Sequence, residues 1–231
     1  MPFDIGGVIF NGSSADVKDY KNIITRGLAF YVDASALESY SRTGTTWYDL
    51  GSANANSTLT NGPTFSTDGG GSILMDGTND YSVTANVSLA YTSYTMECAV
   101  KYTSVSGNQG LFSYSQSGAG KYTNLYKANG AGMRWETNAG QAITGTNNLT
   151  SGVWYYFTGV WDGTTGYLYR NATLETSAAL SSHTSQTSTF DIGTYAGYTN
   201  GNIGFARFYT RALTSAEITH NFNIQKGRFG L

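Results

Sequence analysis

The sequence predicts an all-β protein, an antiparallel β-sandwich of the jelly-roll kind with a short C-terminal helix and an N-terminal arm. Three observations predict it. Short apolar and aromatic segments recur between turn signals over about 180 residues. The 231 residues include 29 glycines and 18 tyrosines but only 12% charged side chains, a composition that favours strands joined by tight turns. Helical periodicity is concentrated near the C-terminus. With no fixed repeat and no low-complexity linker, residues 26–231 read as one domain preceded by an arm at 1–25.

The net charge is −2 and no basic run occurs, so a nucleic-acid partner is not expected. No segment is long and apolar enough to span a bilayer as a helix, so no membrane partner is expected either. The N-terminus lacks the basic-then-apolar order of a secretory signal, and no export is expected. The single cysteine, Cys98, excludes an intrachain disulfide. Its place in an alternating apolar pattern predicts a buried thiol.

Taken in order, the arm carries Phe3, Ile5, Val8, Ile9 and Phe10 between glycines. A short helix is expected after it, with Ser14 as cap and Val17, Tyr20 and Ile24 on one face. This segment is too short to fold alone. It suits either packing on its own domain or docking on a neighbouring subunit. LAFYVD from Leu28 is the first strand. Tyr40, Trp47 and Tyr48 follow as candidates to cover one end of the core. Asn61, Gly62 and Pro63 mark a turn. GSILMDG and DYSVTAN are short strands with a hairpin-like spacing at Gly77 to Asn79. In Tyr94 to Tyr102 the period of two places Tyr94, Met96, Cys98, Val100 and Tyr102 on the core face. It places Thr95, Glu97, Ala99 and Lys101 toward solvent. Further strands are expected in GLFSYS, TNLYKA, GMRWET, VWYYFTGVW, GYLYRNATLE and FDIGTYA, with turns at Gly107, Gly130, Asp162–Gly163 and Gly201.

The stretch from Asn200 to Phe222 closes the fold. Ile203 to Tyr209 is apolar on both sides of its alternation, apart from one arginine, and predicts a strand covered on both faces. Thr214 and Glu217 have capping-box spacing. Ile218 and Phe222 lie on one helix face, and Gly227 is the expected stop.

Four stretches, LMDGTNDYSV, YTMECAVKY, WYYFTGVWDGTTGYLYRNATLE and IGFARFYTRALTSAEITHNFN, together resemble the laminin-G-like branch of the concanavalin A-like lectin/glucanase fold. With LAFYVDAS and TTWYDLGSANANSTLTNGPTF the resemblance covers about residues 28 to 223. It implies two packed antiparallel sheets whose curved inner sheet is the usual ligand face. The fold carries enzymes, lectins and structural modules alike. The Gly-, Thr- and Tyr-rich texture and the run GTTWYDL…TLTNGPTF also resemble concanavalin-like domains of tailed-bacteriophage virion proteins.

Glucanases of this fold carry E-x-D-x-x-E on one strand. None of Glu38, Glu97, Glu136, Glu175 and Glu217 stands in that pattern, and Glu97 and Glu136 read as solvated strand residues. His183 and His220 neighbour no nucleophile elbow, and with one distant cysteine they give no zinc spacing. No catalytic residue and no metal ligand is therefore assigned. Laminin-G-like relatives often hold calcium. Asp76, Asn79, Asp80 and Asp162 are the candidate oxygen donors, although each suits a turn equally well. Where such relatives carry an acidic residue before the penultimate strand, this chain has Gly204–Phe205. Tyr114, Tyr122, Tyr126, Arg134 and Trp135 are aromatic or cationic residues among polar ones, as a glycan site, a tyrosine-rich core or an assembly interface would require.

The resulting expectation is a non-enzymatic virion structural protein, a capsid decoration or fibre-like module assembled in the host cytoplasm. Its arm, through Phe3, Ile5, Val8, Ile9, Phe10, Val17 and Tyr20, would dock on the major capsid protein, other virion proteins or sister subunits in a homo-oligomer. The alternative is a lectin binding host-surface glycans through Tyr126, Arg134 and Trp135.

Overall fold

A computed structural model describes residues 22–116, 121–137, 141–181 and 185–231. The arm residues Phe3, Ile5, Val8, Ile9, Phe10, Val17 and Tyr20, the proposed cap Ser14, and His183 lie outside the described residues. The described chain forms seventeen strands and one α-helix.

The strands make two antiparallel sheets. The eight-stranded sheet runs β15 (Thr173–Ala179), β14 (Thr165–Arg170), β13 (Trp154–Trp161), β8 (Tyr94–Tyr102), β17 (Asn200–Tyr209), β5 (Ser72–Asp76) and β4 (Thr64–Ser66). β1 (Leu28–Asp33) also pairs with β17. The nine-stranded sheet runs β12 (Gln141–Thr144), β11 (Met133–Thr137), β10 (Lys121–Lys127), β9 (Gln109–Gln116), β16 (Ser185–Ile192), β6 (Tyr81–Thr84), β3 (Ser57–Thr60) and β2 (Thr46–Trp47). β7 (Val87–Ala90) also pairs with β16. The all-β sandwich expected from the pattern is the architecture observed.

Alternation assigns the faces. Tyr94, Met96, Cys98, Val100 and Tyr102 of β8 and Ala206 and Phe208 of β17 enter the core between the sheets. They meet Phe112 and Tyr114 of β9, Leu125 of β10, Trp135 of β11 and Phe190 of β16. Burying side chains of this size stabilises by roughly 1.5–3 kcal/mol each.

The middle of the outer face of the eight-stranded sheet is not solvated. The helix α1 (Ser215–Phe229) lies on it, and Ala99, Tyr156, Phe205 and Tyr209 form a second cluster with Ile218 and Phe229. The expectation that Thr95, Glu97 and Ala99 face solvent is therefore corrected. All three are fully buried, and only Lys101 is half-buried. The period of two was right, but it could not show that a distant helix covers the polar side.

The capping box forms as predicted. Thr214 Oγ1 accepts from the Glu217 amide at 3.2 Å, and Glu217 Oε2 accepts from the Thr214 amide at 2.9 Å. The stop is not at Gly227. The helix runs on to Phe229 and ends at Gly230, whose φ of 68° is the left-handed cap. Its buried positions are Ile218, Asn221, Gln225 and Phe229, a helical stripe whose middle is amide rather than hydrocarbon.

Three further expectations are corrected. Gly77 to Asn79 does not close a hairpin, because β5 and β6 belong to different sheets and the segment crosses between them. Gly201 lies inside β17 rather than in a turn. There a Cβ would come within 2.2 Å of the Lys101 carbonyl oxygen, so the glycine permits close strand approach. Tyr40 and Trp47 are buried in the core, but Tyr48 is exposed.

Candidate ligand-binding face

The outward face of the nine-stranded sheet is the candidate site. The residues on β10 and β11 follow from alternation. Thr123 and Leu125 face the core, with Thr123 Oγ1 accepting from the Trp135 indole at 2.9 Å. Asn124 and Tyr126 therefore face outward. On β11, Met133 and Trp135 face the core, and Arg134 and Glu136 face outward.

Strand register then lines these side chains up. Glu136 pairs with Asn124, Asn124 with Ser113, and Ser113 with Asp191. A second row pairs Arg134 with Tyr126 and Tyr126 with Gly110. A Cβ on Gly110 would stand 2.2 Å from the Tyr195 backbone nitrogen, so the loop after β16 lies directly on this glycine. That loop brings Tyr195 to Tyr126, with ring centroids 5.4 Å apart and edge-on.

Glu136 is the hub. Its Oε2 accepts from the hydroxyls of Tyr126 at 3.1 Å and Tyr195 at 3.3 Å, and Arg134 Nη2 lies 4.0 Å from its Oε1. The Arg134 guanidinium stands 5.9 Å from the Tyr126 ring centroid. Glu136 is 8% exposed, so its expected solvated position is corrected. Asp191, at the other end of the row, accepts from Thr189 Oγ1 at 2.9 Å. Burial raises its carboxyl, with the Thr189 hydrogen bond opposing.

Two polar groups of this face are unsatisfied. Asn124 is fully buried, and neither its amide oxygen nor its nitrogen has a hydrogen-bond partner. Arg134 Nε is also unpaired. An orphaned buried polar group costs about 1–3 kcal/mol, and native folds keep few of them.

The predicted trio is therefore split. Tyr126 and Arg134 meet, but Trp135 is fully buried in the core, edge-on to Tyr94 with centroids 6.0 Å apart. Neighbouring residues of a strand point to opposite faces, so Arg134 and Trp135 cannot share one. Tyr114 is also core, its hydroxyl donating to the Val87 and Gln186 carbonyls. Asn124, Glu136 and Tyr195 are added to the site. The alternation of TNLYKA and MRWET carried the signal for the first two. Nothing local marked Tyr195, which arrives through a loop.

Two-carboxylate hydrolysis needs its acids roughly 5–10 Å apart. Glu136 and Asp191 are three strand steps apart, roughly 14 Å at the usual ~4.8 Å spacing. His220 is exposed, with Nε2 2.9 Å from the Asn22 carbonyl oxygen.

The three carboxylates among the calcium candidates are engaged by their own loops. Asp76 Oδ1 accepts from the amides of Thr78 and Asn79, and these bonds lower its carboxyl. Asp80 Oδ2 accepts from the Asp76 amide. Asp162 Oδ1 accepts from the amides of Thr164 and Thr165. Among the described residues no three His, Cys, Asp or Glu side chains gather as a metal site.

A family model described as the concanavalin A-like lectin/glucanases superfamily matches residues 76–219, most of the sandwich. The chain belongs to this superfamily. No curated protein sequence matches it. Solved structures of similar fold include domain 4 of AbnA, a GH43 extracellular arabinanase from Geobacillus stearothermophilus, in complex with arabinotriose. The TM-score is 0.66 at 13% identity, with 87% of this chain and 100% of that one covered. Trypanosoma rangeli sialidase matches with a TM-score of 0.63 at 16% identity, over 87% of this chain and 33% of the sialidase. The botulinum neurotoxin type G receptor binding domain matches at 0.62 and 14%, over 86% and 51%. This superfamily member thus spans a third of the sialidase's length. At such identities the likeness is one of fold.

Proposed function

We propose that this protein is a glycan-binding module using the outward face of the nine-stranded sheet. The observation that carries the reading is the orphaned amide of Asn124, in a row with Glu136 and Ser113 and beside Tyr126 and Arg134. Amide, carboxylate, hydroxyl, guanidinium and aromatic edge are the groups that recognise sugar hydroxyls and ring faces. Asn124 is fully buried, so ligand hydroxyls would meet its unpaired amide only by displacing what covers it, while the half-buried Arg134 and Tyr195 are open to them directly. A fold neighbour solved with arabinotriose supports the ligand class by analogy. The test is calorimetric titration of the full chain with neutral oligosaccharides. Binding should occur and should weaken on Asn124→Ala and on Arg134→Ala. Sugar binding unchanged in both variants, or no binding at all, overturns the reading.

A second reading is favoured by where the chain enters the fold. Ile23 is buried in the cluster beneath α1, and the Ile24 amide donates to Asn221 Oδ1 at 2.9 Å. Ile23 and Ile24 thus lie on the side of the sandwich opposite the glycan face, and residues 1–21 precede them in the chain. We infer that they attach the module to a virion, on the major capsid protein or another structural protein, or to sister copies in a homo-oligomer. The glycan face would then point outward. Deleting residues 1–20 should leave a folded sandwich that no longer enters particles. Normal incorporation of the truncated chain overturns the attachment role.

A further inference from the structure

The loop that brings Tyr195 to Glu136 also builds a second concavity. Next to Tyr198 lies a cavity of about 300 Å³, lined by Ser104, Ser106, Asn108, Gln109, Tyr198 and Asn200. That volume is at the small end of ligand clefts. Gly77 and Gly197 complete its wall. They do so because the backbone passes too close for a side chain, since a Cβ would come within 2.6 Å of Asn200 Cβ and 2.2 Å of the Asn108 carbonyl oxygen respectively.

The floor is fixed by Gln109, which is 3% exposed. Its Nε2 donates to the carbonyls of Ser104 at 2.7 Å and Ser106 at 3.0 Å. Its Oε1 accepts from the Asn200 amide at 2.8 Å. One amide side chain thus ties the loop after β8 to the start of β17. The wall is fixed by the loop after β16. The Gly110 amide donates to the Gly197 carbonyl at 3.0 Å, the Thr199 amide to the Gly193 carbonyl at 2.8 Å, and Thr199 Oγ1 to the Gly110 carbonyl. This anchoring holds Tyr195 and Ala196 at φ of 155° and 55°. Backbone in such regions costs of order 1–3 kcal/mol per residue and recurs at ligand clamps. The outcome of the strain is positional. Tyr195 faces the Glu136 cluster, while Tyr198, 37% exposed, lines the cavity with its ring centroid 6.5 Å from that of Tyr81.

We propose that this cavity is a second sugar subsite, taking one neutral pyranose or furanose unit against the Tyr198 ring. The lining holds amides, hydroxyls and one exposed aromatic ring, and no charged side chain. Such a set pairs with sugar hydroxyls and offers nothing to balance a carboxylate or sulfate. The loop from 193 to 199 separates it from the Glu136 cluster, so a bound glycan would engage both sides of one rigid loop. The ligand class rests on the glycan-binding reading above, but the location does not.

The test uses the isotopically labelled full chain. Its amide shifts are followed on titration with arabinotriose, maltotriose and galactotriose, and with sialic and glucuronic acids as charged comparators. A neutral trisaccharide should shift Ser104 to Gln109 and Tyr198. Tyr198→Ala should weaken that binding roughly tenfold, and Tyr198→Phe should preserve it. Ser106→Ala gives an independent readout on a residue outside the core. Shifts confined to Asn124, Tyr126 and Arg134 and insensitive to Tyr198→Ala would overturn this subsite while leaving the main reading standing. Loss on Tyr198→Ala with no effect of Asn124→Ala or Arg134→Ala supports the subsite and removes the main one. Equal binding of the charged sugars at Tyr198, or no shift with any sugar, overturns the subsite.

Discussion

Arg207 Nη2 lies 3.2 Å from Glu97 Oε2, and both side chains are wholly buried between the eight-stranded sheet and α1. Asn221 of the helix donates to the same Glu97 oxygen at 2.9 Å and to the Tyr209 hydroxyl at 3.1 Å, and Tyr156 contacts the guanidinium. Arg207 Nε and Nη1 have no hydrogen-bond partner, but the guanidinium carbon stands 4.2 Å from the Phe205 ring centroid. Burial pushes the Glu97 carboxyl up, and the adjacent guanidinium opposes that shift.

A buried pair of this kind is costly to break from one side. Glu97→Ala leaves Arg207 charged, desolvated and short of partners. The expected loss is about 3–5 kcal/mol, read from urea unfolding. The double replacement Glu97→Leu with Arg207→Met should recover most of it. A loss below about 1 kcal/mol for Glu97→Ala, the level of an ordinary substitution, would show that the pair does not hold the helix to the sheet.

Much of this architecture was legible in the chain. The both-sides-apolar strand at Ile203 to Tyr209 announced a covered sheet, and Thr214 to Glu217 announced where the helix starts. What covered the polar side of Tyr94 to Tyr102 was not legible. Glu97 meets Arg207 and Asn221 only after more than a hundred intervening residues, and no local pattern marks such a pairing. The helix stripe was obscured for the same reason, because Asn221 and Gln225 are polar yet buried. Half the candidate face could be read from alternation at Asn124, Tyr126, Arg134 and Glu136. Taking Arg134 and Trp135 together broke that same alternation. Tyr195 depends on a strained loop resting on Gly110, and strain of that kind leaves no mark on composition.

Trp135 separates packing from recognition. Its indole donates to Thr123, and its ring lies where a Cβ on Gly159 would come within 3.0 Å. Trp135→Ala should therefore cost about 3–5 kcal/mol of stability by opening a core cavity. Below the unfolding transition it should change sugar affinity less than Arg134→Ala does. Thermal unfolding and calorimetric titration of the two variants compare these directly. A stable Trp135→Ala protein that had lost all sugar binding would return Trp135 to the site.

Cys98 offers a direct probe of the core. The thiol is fully buried on β8, and burial raises it well above the ordinary thiol range. Thiolate is the reactive form. Alkylation by iodoacetamide at neutral pH should be very slow in the native protein and fast in urea, as followed by mass spectrometry. Rapid native labelling would mean that the sandwich opens locally at β8.

Glu217 should make the helix acid-sensitive. Arg211 forms a two-pronged pair with it, at 2.8 and 2.7 Å, and with the Thr214 amide this holds its carboxyl down at about 2 from an ordinary 4.5. A depressed carboxyl binds fewer protons in the folded state than in the unfolded one. Its contribution is therefore present above about 4.5 and is lost as pH falls toward about 2. Glu217→Gln should lower stability at pH 7 and flatten the acid limb of the stability–pH curve. Parallel acid limbs for the two proteins would show that the pairing contributes nothing. Thr214→Ala, which removes the reciprocal cap, should cost about 0.5–2 kcal/mol with little change in that slope.

Gly110 links the fold to the site most directly. A methyl group there would stand 2.2 Å from the Tyr195 nitrogen and 2.3 Å from the Thr194 carbonyl carbon. Both are backbone atoms, so neither can turn aside as a side-chain tip would. Gly110→Ala must lift the loop, at about 1–3 kcal/mol of overpacking, and take Tyr195 away from Tyr126 and Glu136. Tyr195→Phe, by contrast, removes the hydroxyl that donates to Glu136 at 3.3 Å and leaves the edge-on ring in place. The expected order is a large change in the Tyr126 ring resonances and a marked fall in sugar affinity for Gly110→Ala, with small changes in both for Tyr195→Phe. If Gly110→Ala bound sugar as tightly as the parent while its Tyr126 resonances moved, the Tyr195 loop would be packing without a part in recognition. The outward face would then have to bind through Asn124 and Arg134 alone.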